Sequence, residues 1–314
     1  MRKKILPLFL FLLLALLLLD PSRYFLSVKK GGLLFLSSVL PSMLPYFFFT
    51  KLLTSTGCVS GLSATLGRPV SKVYCVAPVS SYALLMSFLS GYPIGARVIA
   101  DLFEKGMISR EDAVRASSFS STSGSMFVLG SVGAVILCDV AAGGVILAAH
   151  YLGALLNGLL YRGRKGRTSL SGPPPLCAAS ETLLSDAMYE SVLSLALVGG
   201  FIAVTNLLGD MAADLLSRVG LGAIFASGTF GGGMLYGVFE VTRGCVEFSA
   251  IGMGRALTAA FCCLAVSFGG LSVILQSLAF LGKTGIKTGK FLMMKASQAA
   301  LSFALCLGLG FLFL

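Results

Sequence analysis

Tryptophan is absent from the 314 residues, and histidine occurs once. The first absence leaves any aromatic belt at a membrane–water boundary to the nine Tyr. The second excludes a histidine-clustered metal site, and His150 in LAAHYLG reads as a packed histidine in an apolar helix. Charge is scarce too. Asp, Glu, Lys and Arg make up 12% of the chain, about half the share in an ordinary soluble domain. Acids number 13 against 24 bases, for a net charge of +11. No basic patch is interleaved with aromatics, so nucleic acid is not expected as a partner. The excess is assigned to cytoplasmic loops and anionic headgroups. None of the eight Cys falls in a CxxC pair, so buried inert thiols are expected rather than a metal or redox site. There is no P-loop, no HExxH, no GxSxG and no nucleophile paired with the single His. Asp139 and Asp210 lack the setting of an intramembrane carboxylate pair. Neither an enzyme nor a cofactor is expected.

What is present is apolar. Hydrophobic residues are 56% of the chain, and the mean hydropathy is +0.92. The longest polar stretches, 104–115 and 162–175, are too short for a soluble domain. The fold expected is all-α and polytopic, with about eight to ten membrane segments at ~20 residues each plus turns. The segmentation expected is an N-terminal helix and linker (1–30), a first repeat (31–161), a basic and proline-rich cytoplasmic linker (162–180) and a second repeat (181–314).

MRKK followed by the apolar run 5–19 resembles a signal peptide without a cleavage site, so it reads as an uncleaved first helix. Residues 21–30 read as an interfacial linker, 31–55 as a helix kinked at Pro41 and Pro45, and 56–72 as a Gly/Ser/Thr linker. Ser109 caps a helix whose first turn holds Glu111 and Asp112.

The decisive stretch is SFLSGYPIGARVIADLFEKG, residues 87–106. Gly91, Tyr92, Pro93 and Gly95 interrupt the helix pattern; Pro93 lacks an N–H and disfavours α geometry at Tyr92. Arg97 and Asp101 then stand one turn apart, placed to pair, and Gly106 closes the helix. A second interruption, SSTSGS, carries Ser121, Thr122 and Ser123. GTFGGGMLYGVFEVTRG is glycine-rich and carries Glu240, Thr242 and Arg243, the last able to pair with Glu240. A further interruption is Gly269, Gly270 and Ser272, with Gln276 one turn beyond. Broken helices at membrane depth are tolerated only where bare backbone is buried in protein or lines a wet cavity. In transporters they often hold substrate. The bland alternative at each is a loop leaving the membrane or close packing of small residues.

The halves echo each other. Thr50 in PYFFFTKLL matches Thr205 in GFIAVTNLL at an offset of 155; setting the first interruption against the last matches Gly106 to Gly285 at 179. The difference implies an insertion of about one helix in the second half.

SGYPIGARV, LFEKGMIS, MFVLGSVG, GVFEVTRG and FGGLSVILQS, in that order, resemble the sporulation integral membrane protein YlbJ family from about Leu40 to the end of the chain. The resemblance implies the nucleoside-recognition or Gate class, shared with spore maturation proteins and a ferrous-iron transporter. It further implies two Gate-like repeats with re-entrant helices, a multi-pass protein of the bacterial inner membrane, and a role in spore cortex formation. Members of the family usually carry Asn and Pro in the second interruption. This chain has hydroxyls there, which reach less far than an amide, so no amide ligand is carried over.

The candidate substrate site is therefore Gly91, Tyr92, Pro93, Gly95, Ser121, Thr122, Ser123, Glu240, Thr242, Gly269, Gly270, Ser272 and Gln276. Glu240 leads, because an ionisable group between apolar segments is expensive; its alternative is a structural pair with Arg243. Gln276 fits a base edge or a sugar as well as plain helix–helix bonding. Lys283, Lys287, Lys290 and Lys295 read as one basic stripe. The leading expectation is a transporter or channel-like protein for a small polar, nucleoside-like solute in the lipid bilayer. The alternative is a scaffold that assembles with spore-envelope membrane proteins and transports nothing.

Overall fold

Apolar runs punctuated by Gly, Pro and Ser form helices throughout, with no strand among the described residues, which are 2–163 and 182–314 in this computed structural model. The linker expected at 162–180 lies outside them except for Arg162 and Gly163. In chain order the helices are α1 (Arg2–Leu19), α2 (Pro21–Leu34), α3 (Leu40–Ser55), α4 (Cys58–Tyr74), α5 (Ser80–Ser90), α6 (Ile94–Glu104) and α7 (Arg110–Ser117). A π-helix (Phe127–Ile136) precedes α8 (Val140–Leu160) and α9 (Leu183–Arg218). Then follow α10 (Phe230–Phe239), α11 (Val241–Ala250), α12 (Arg255–Phe268), α13 (Gly270–Leu281) and α14 (Thr288–Phe313).

Five stretches are long and apolar enough to cross a membrane: Pro21–Ser55, Val140–Leu160, Leu183–Arg218, Arg255–Thr284 and Thr288–Phe313. That is fewer than the eight to ten segments expected. Interruptions cut much of the remaining apolar sequence into half-length helices such as Ser80–Ser90 and Phe230–Phe239, too short to span ~30 Å alone.

Three local expectations are corrected. Residues 21–30 form helix, not linker: Asp20 caps α2 by accepting from Arg23 N–H at 3.2 Å, and Pro21 takes the first turn, where no N–H is needed. Pro41 likewise sits in the first turn of α3, just after a π-turn at Phe35–Val39, so the helix continues past it. Residues 58–74 are helix α4, because Val59, Ser63, Gly67, Val70 and Tyr74 recur on one buried face. Small and hydroxyl residues on that stripe suit close packing between membrane helices.

Other local signals hold. Ser109 and Asp112 form a capping box, with Asp112 N–H donating to Ser109 Oγ at 3.0 Å and Ser109 N–H donating to Asp112 at 3.3 Å. Gly106, at φ +67°, follows α6 in the left-handed region. No ion pair joins Arg97 to Asp101 among the described residues; both are exposed.

The core is built from α8, α12 and α14, with Ile146, Cys263 and Cys306 fully buried. A Cβ on Gly153 of α8 would lie 3.0 Å from Ser302 Cα, so bare backbone lets α8 and α14 approach. On the outside α2 lies along α9, where Asn206 donates to Ser27 O at 2.8 Å and Arg23 pairs with Asp214.

Asp139 caps α8 through Ala142 N–H at 3.0 Å and pairs with Arg255 at 2.7 Å. First the Ala142 N–H and then Arg255 hold its carboxyl below the usual carboxylate range. Its contribution is therefore complete at neutral pH and fades only as pH falls through that lowered value. Asp139→Ala should cost about 1 kcal/mol at neutral pH. Thermal unfolding in detergent, followed by a thiol-reactive dye that reports the buried cysteines, should fall by about 2–4 °C. Wild type and variant should converge in acid.

Candidate functional site

Each of the four interruptions frees backbone groups, and at the second and third surrounding side chains satisfy them. At the first, α5 ends at Ser90 and α6 resumes at Ile94, with Gly91 at φ +71° and a cis peptide before Pro93. At the second, the chain runs without helix from residue 121 to 124. Thr122 N–H donates to Ser87 Oγ at 3.0 Å, and the two hydroxyls lie 2.6 Å apart. Ser123 N–H donates to His150 Nε2 at 2.9 Å. At the third, Glu240 alone separates α10 from α11 and caps α11, accepting from Arg243 N–H at 2.6 Å and Thr242 Oγ1 at 3.1 Å. At the fourth, Gly269 (φ +88°) separates α12 from α13.

The interruptions cross in pairs. A Cβ on Gly91 would fall onto the backbone of Ser123 and Gly124, so only glycine admits the second interruption against the first. A Cβ on Gly270 would lie 3.2 Å from the carbonyl oxygens of Gly237 and Phe239, so the third crosses the fourth in the same way.

Between the two crossings lies a cavity of about 50 Å³. Tyr92 and Ser123 line it from the first crossing; Glu240, Thr242, Ser272 and Gln276 line it from the second. Met43, Phe127, Ile202 and Val266 complete an apolar wall. Six of the thirteen candidate residues therefore meet around one space. Gly91, Gly95 and Gly270 shape the crossings, and Pro93, Ser121, Thr122 and Gly269 lie in the interruptions without lining the cavity.

Glu240 is 3% exposed, and its expected partner is engaged elsewhere. The Arg243 guanidinium pairs with Glu247 at 2.7 Å, donates to Asn206 Oδ1 at 3.1 Å and stacks over Tyr236. Glu240 thus receives a backbone N–H and a hydroxyl, but no side-chain cation among the described residues. Gln276 donates to Ser272 Oγ at 3.3 Å, within its own helix.

Three polar residues at the crossings were not anticipated as site residues. His150 is fully buried on α8 and joins the second interruption to α12: Nε2 accepts from Ser123, which leaves Nδ1 to donate to Ser267 Oγ at 2.7 Å. Asn157 donates to the carbonyls of Ser118 and Met294 at 2.8 and 3.1 Å. Lys295 is 1% exposed and reaches both Tyr92 OH and Ser121 O. One signal could have singled it out. It falls five residues after Lys290, rather than the three or four that continue a helical stripe.

No family model matches the chain, and no solved structure matches it. Among curated proteins it is 29% identical over 319 aligned positions to the sporulation integral membrane protein YlbJ of Bacillus subtilis (strain 168), covering 92% of this chain and 78% of that protein.

His150→Ala should leave the Ser123 N–H and the Ser267 hydroxyl unpaired in the core, at a cost of about 1–3 kcal/mol. The same dye-monitored unfolding checks it; a variant as stable as wild type would mean that His150 only fills space.

Proposed function

We propose that this chain, which belongs to the YlbJ family of sporulation integral membrane proteins, is a transporter or channel-like protein for a small polar, nucleoside-like solute in the inner membrane of the cell, acting in spore cortex formation. One observation carries the reading: two pairs of crossing interruptions bring Tyr92, Ser123, Glu240, Thr242, Ser272 and Gln276 around one cavity. Interrupted helices meeting at a polar site are the usual architecture of solute binding at membrane depth.

The element order supports two Gate-like repeats. Two interrupted helices followed by one long helix occur over α5–α8 and again over α10–α14. Gly91 and Glu240 stand 149 positions apart, and the starts of α8 and α14, Val140 and Thr288, stand 148 apart. This spacing sets the first interruption against the third and the second against the fourth. It replaces the offset of 179 and needs no inserted helix. Counting α5–α6, α7 with the π-helix, and α10–α11 as re-entrant segments beside the five long stretches favours a total of eight.

The cavity also sets a condition. About 50 Å³ admits a few waters or a small ion, whereas pockets for organic ligands run to several hundred Å³. A nucleoside-sized solute therefore needs the crossings to part, as alternating access requires. The same closeness favours the second reading, a scaffold whose interruptions are simply packed shut.

The test is a thermal-shift screen of the purified protein against nucleosides, nucleobases, small spore metabolites and divalent cations, with Glu240→Gln and Gln276→Ala beside wild type. A solute that binds the native state raises the unfolding temperature by mass action. The transporter reading expects a hit that both variants lose. It also expects both variants to fail in sporulation at normal protein levels. Full sporulation with both variants would leave the scaffold.

A further inference from the structure

Of the four lysines that read as a stripe, Lys283, Lys287 and Lys290 are exposed and Lys295 is buried. The inward face of α14 carries Phe291, Met294, Lys295, Gln298 and Ser302, so the helix aims this one ammonium at the core. Its Nζ donates to Tyr92 OH at 2.6 Å, to Ser121 O at 2.9 Å and to Gln298 Oε1 at 3.0 Å. Three N–H groups meet three oxygens, one from each of two interruptions and one from α14. The Tyr92 ring adds a face 4.7 Å away. No carboxylate pairs with Lys295 among the described residues.

A buried cation without a counter-ion is costly, and an apolar side chain of similar volume would avoid that cost. What surrounds Nζ is instead the chemistry that replaces the hydration shell of a small monovalent cation: carbonyl, amide and hydroxyl oxygens. Two buried polar atoms of the same residues, Ser121 Oγ and Gln298 Nε2, have no hydrogen-bond partner. Ser121 Oγ is thus a further oxygen on a residue that already holds the ammonium.

We propose that the crossing of the first two interruptions with α14 forms a binding site for an alkylammonium ion, and that Lys295 is its tethered occupant. The crossing is then held together by a cation the chain itself supplies, with no dissolved cation required. This holds whether or not a solute moves through the protein.

Truncating Lys295→Ala removes the equivalent of propylammonium, which sets the probe. Unfolding of the purified full-length protein is followed in detergent at constant ionic strength with choline, sodium or propylammonium chloride. Propanol in choline serves as a neutral probe of the same shape. Wild type should unfold at the same temperature in all. Lys295→Ala should unfold lower in choline and recover at least half of its loss in propylammonium, saturably, as mass action requires. Recovery by propanol to the same extent, no recovery at all, or the same cation dependence in wild type would overturn the proposal. If Lys295→Ala cannot be purified, Gln298→Leu is made in the wild type and in Lys295→Met. The loss should appear with lysine present and vanish with methionine; equal losses would overturn the proposal. No arm of the experiment uses a transported solute, so its outcome is separate from the fate of the transporter reading.

Discussion

A peptide group inside a bilayer must find its hydrogen-bond partner within the protein, and the polar interior of this chain follows from that constraint. Four helix interruptions create the demand. Ser87 answers the Thr122 N–H, His150 the Ser123 N–H, Glu240 the Arg243 N–H and Lys295 the Ser121 carbonyl. The glycines that permit the crossings also bring these demands together in space. The candidate site is thus an outcome of backbone bookkeeping around the crossings, before any ligand is considered.

Three of the four interruptions were legible because Gly, Pro and Ser stand out against apolar runs, and their local physics is short-range; the break at Glu240 was not. Gly91 to Pro93 could not continue a helix, Ser109 could only begin one, and a carboxyl at Glu240 was conspicuous between apolar helices. What the local pattern misjudged was polarity at helix surfaces. The Gly, Ser and Thr residues of α4 looked like linker because soluble helices rarely carry so many, yet Ser60, Ser63 and Gly67 fall on one packed face. Arg243 was matched to Glu240 by proximity in sequence. The capping geometry turns the Glu240 carboxyl toward backbone and leaves the guanidinium to Glu247, one turn along the helix.

The side chains that tie distant elements together were the least legible. His150 links positions 27 and 117 residues away, and Lys295 reaches across 203 and 174. Such partners depend on how α8 and α14 lie against the interruptions, which no window of sequence encodes. A lone buried histidine was a sound reading of LAAHYLG; that both of its nitrogens are spent on two different interrupted helices required the fold.

The two buried ionisable groups of the crossings follow a common rule. Glu240 sits at the start of α11, where free N–H groups and the helix dipole favour a negative group. Lys295 meets the Ser121 carbonyl, a backbone acceptor left free by the second interruption. Neither charge is neutralised by an opposite side-chain charge among the described residues. Each is matched to the backbone polarity of its own crossing. Among the described residues no ion pair joins Glu240 to Lys295 across the cavity between them. The ion pairs that do join one crossing's helices to the other's, Lys283 with Glu104 and Arg255 with Asp139, lie at helix ends away from the cavity.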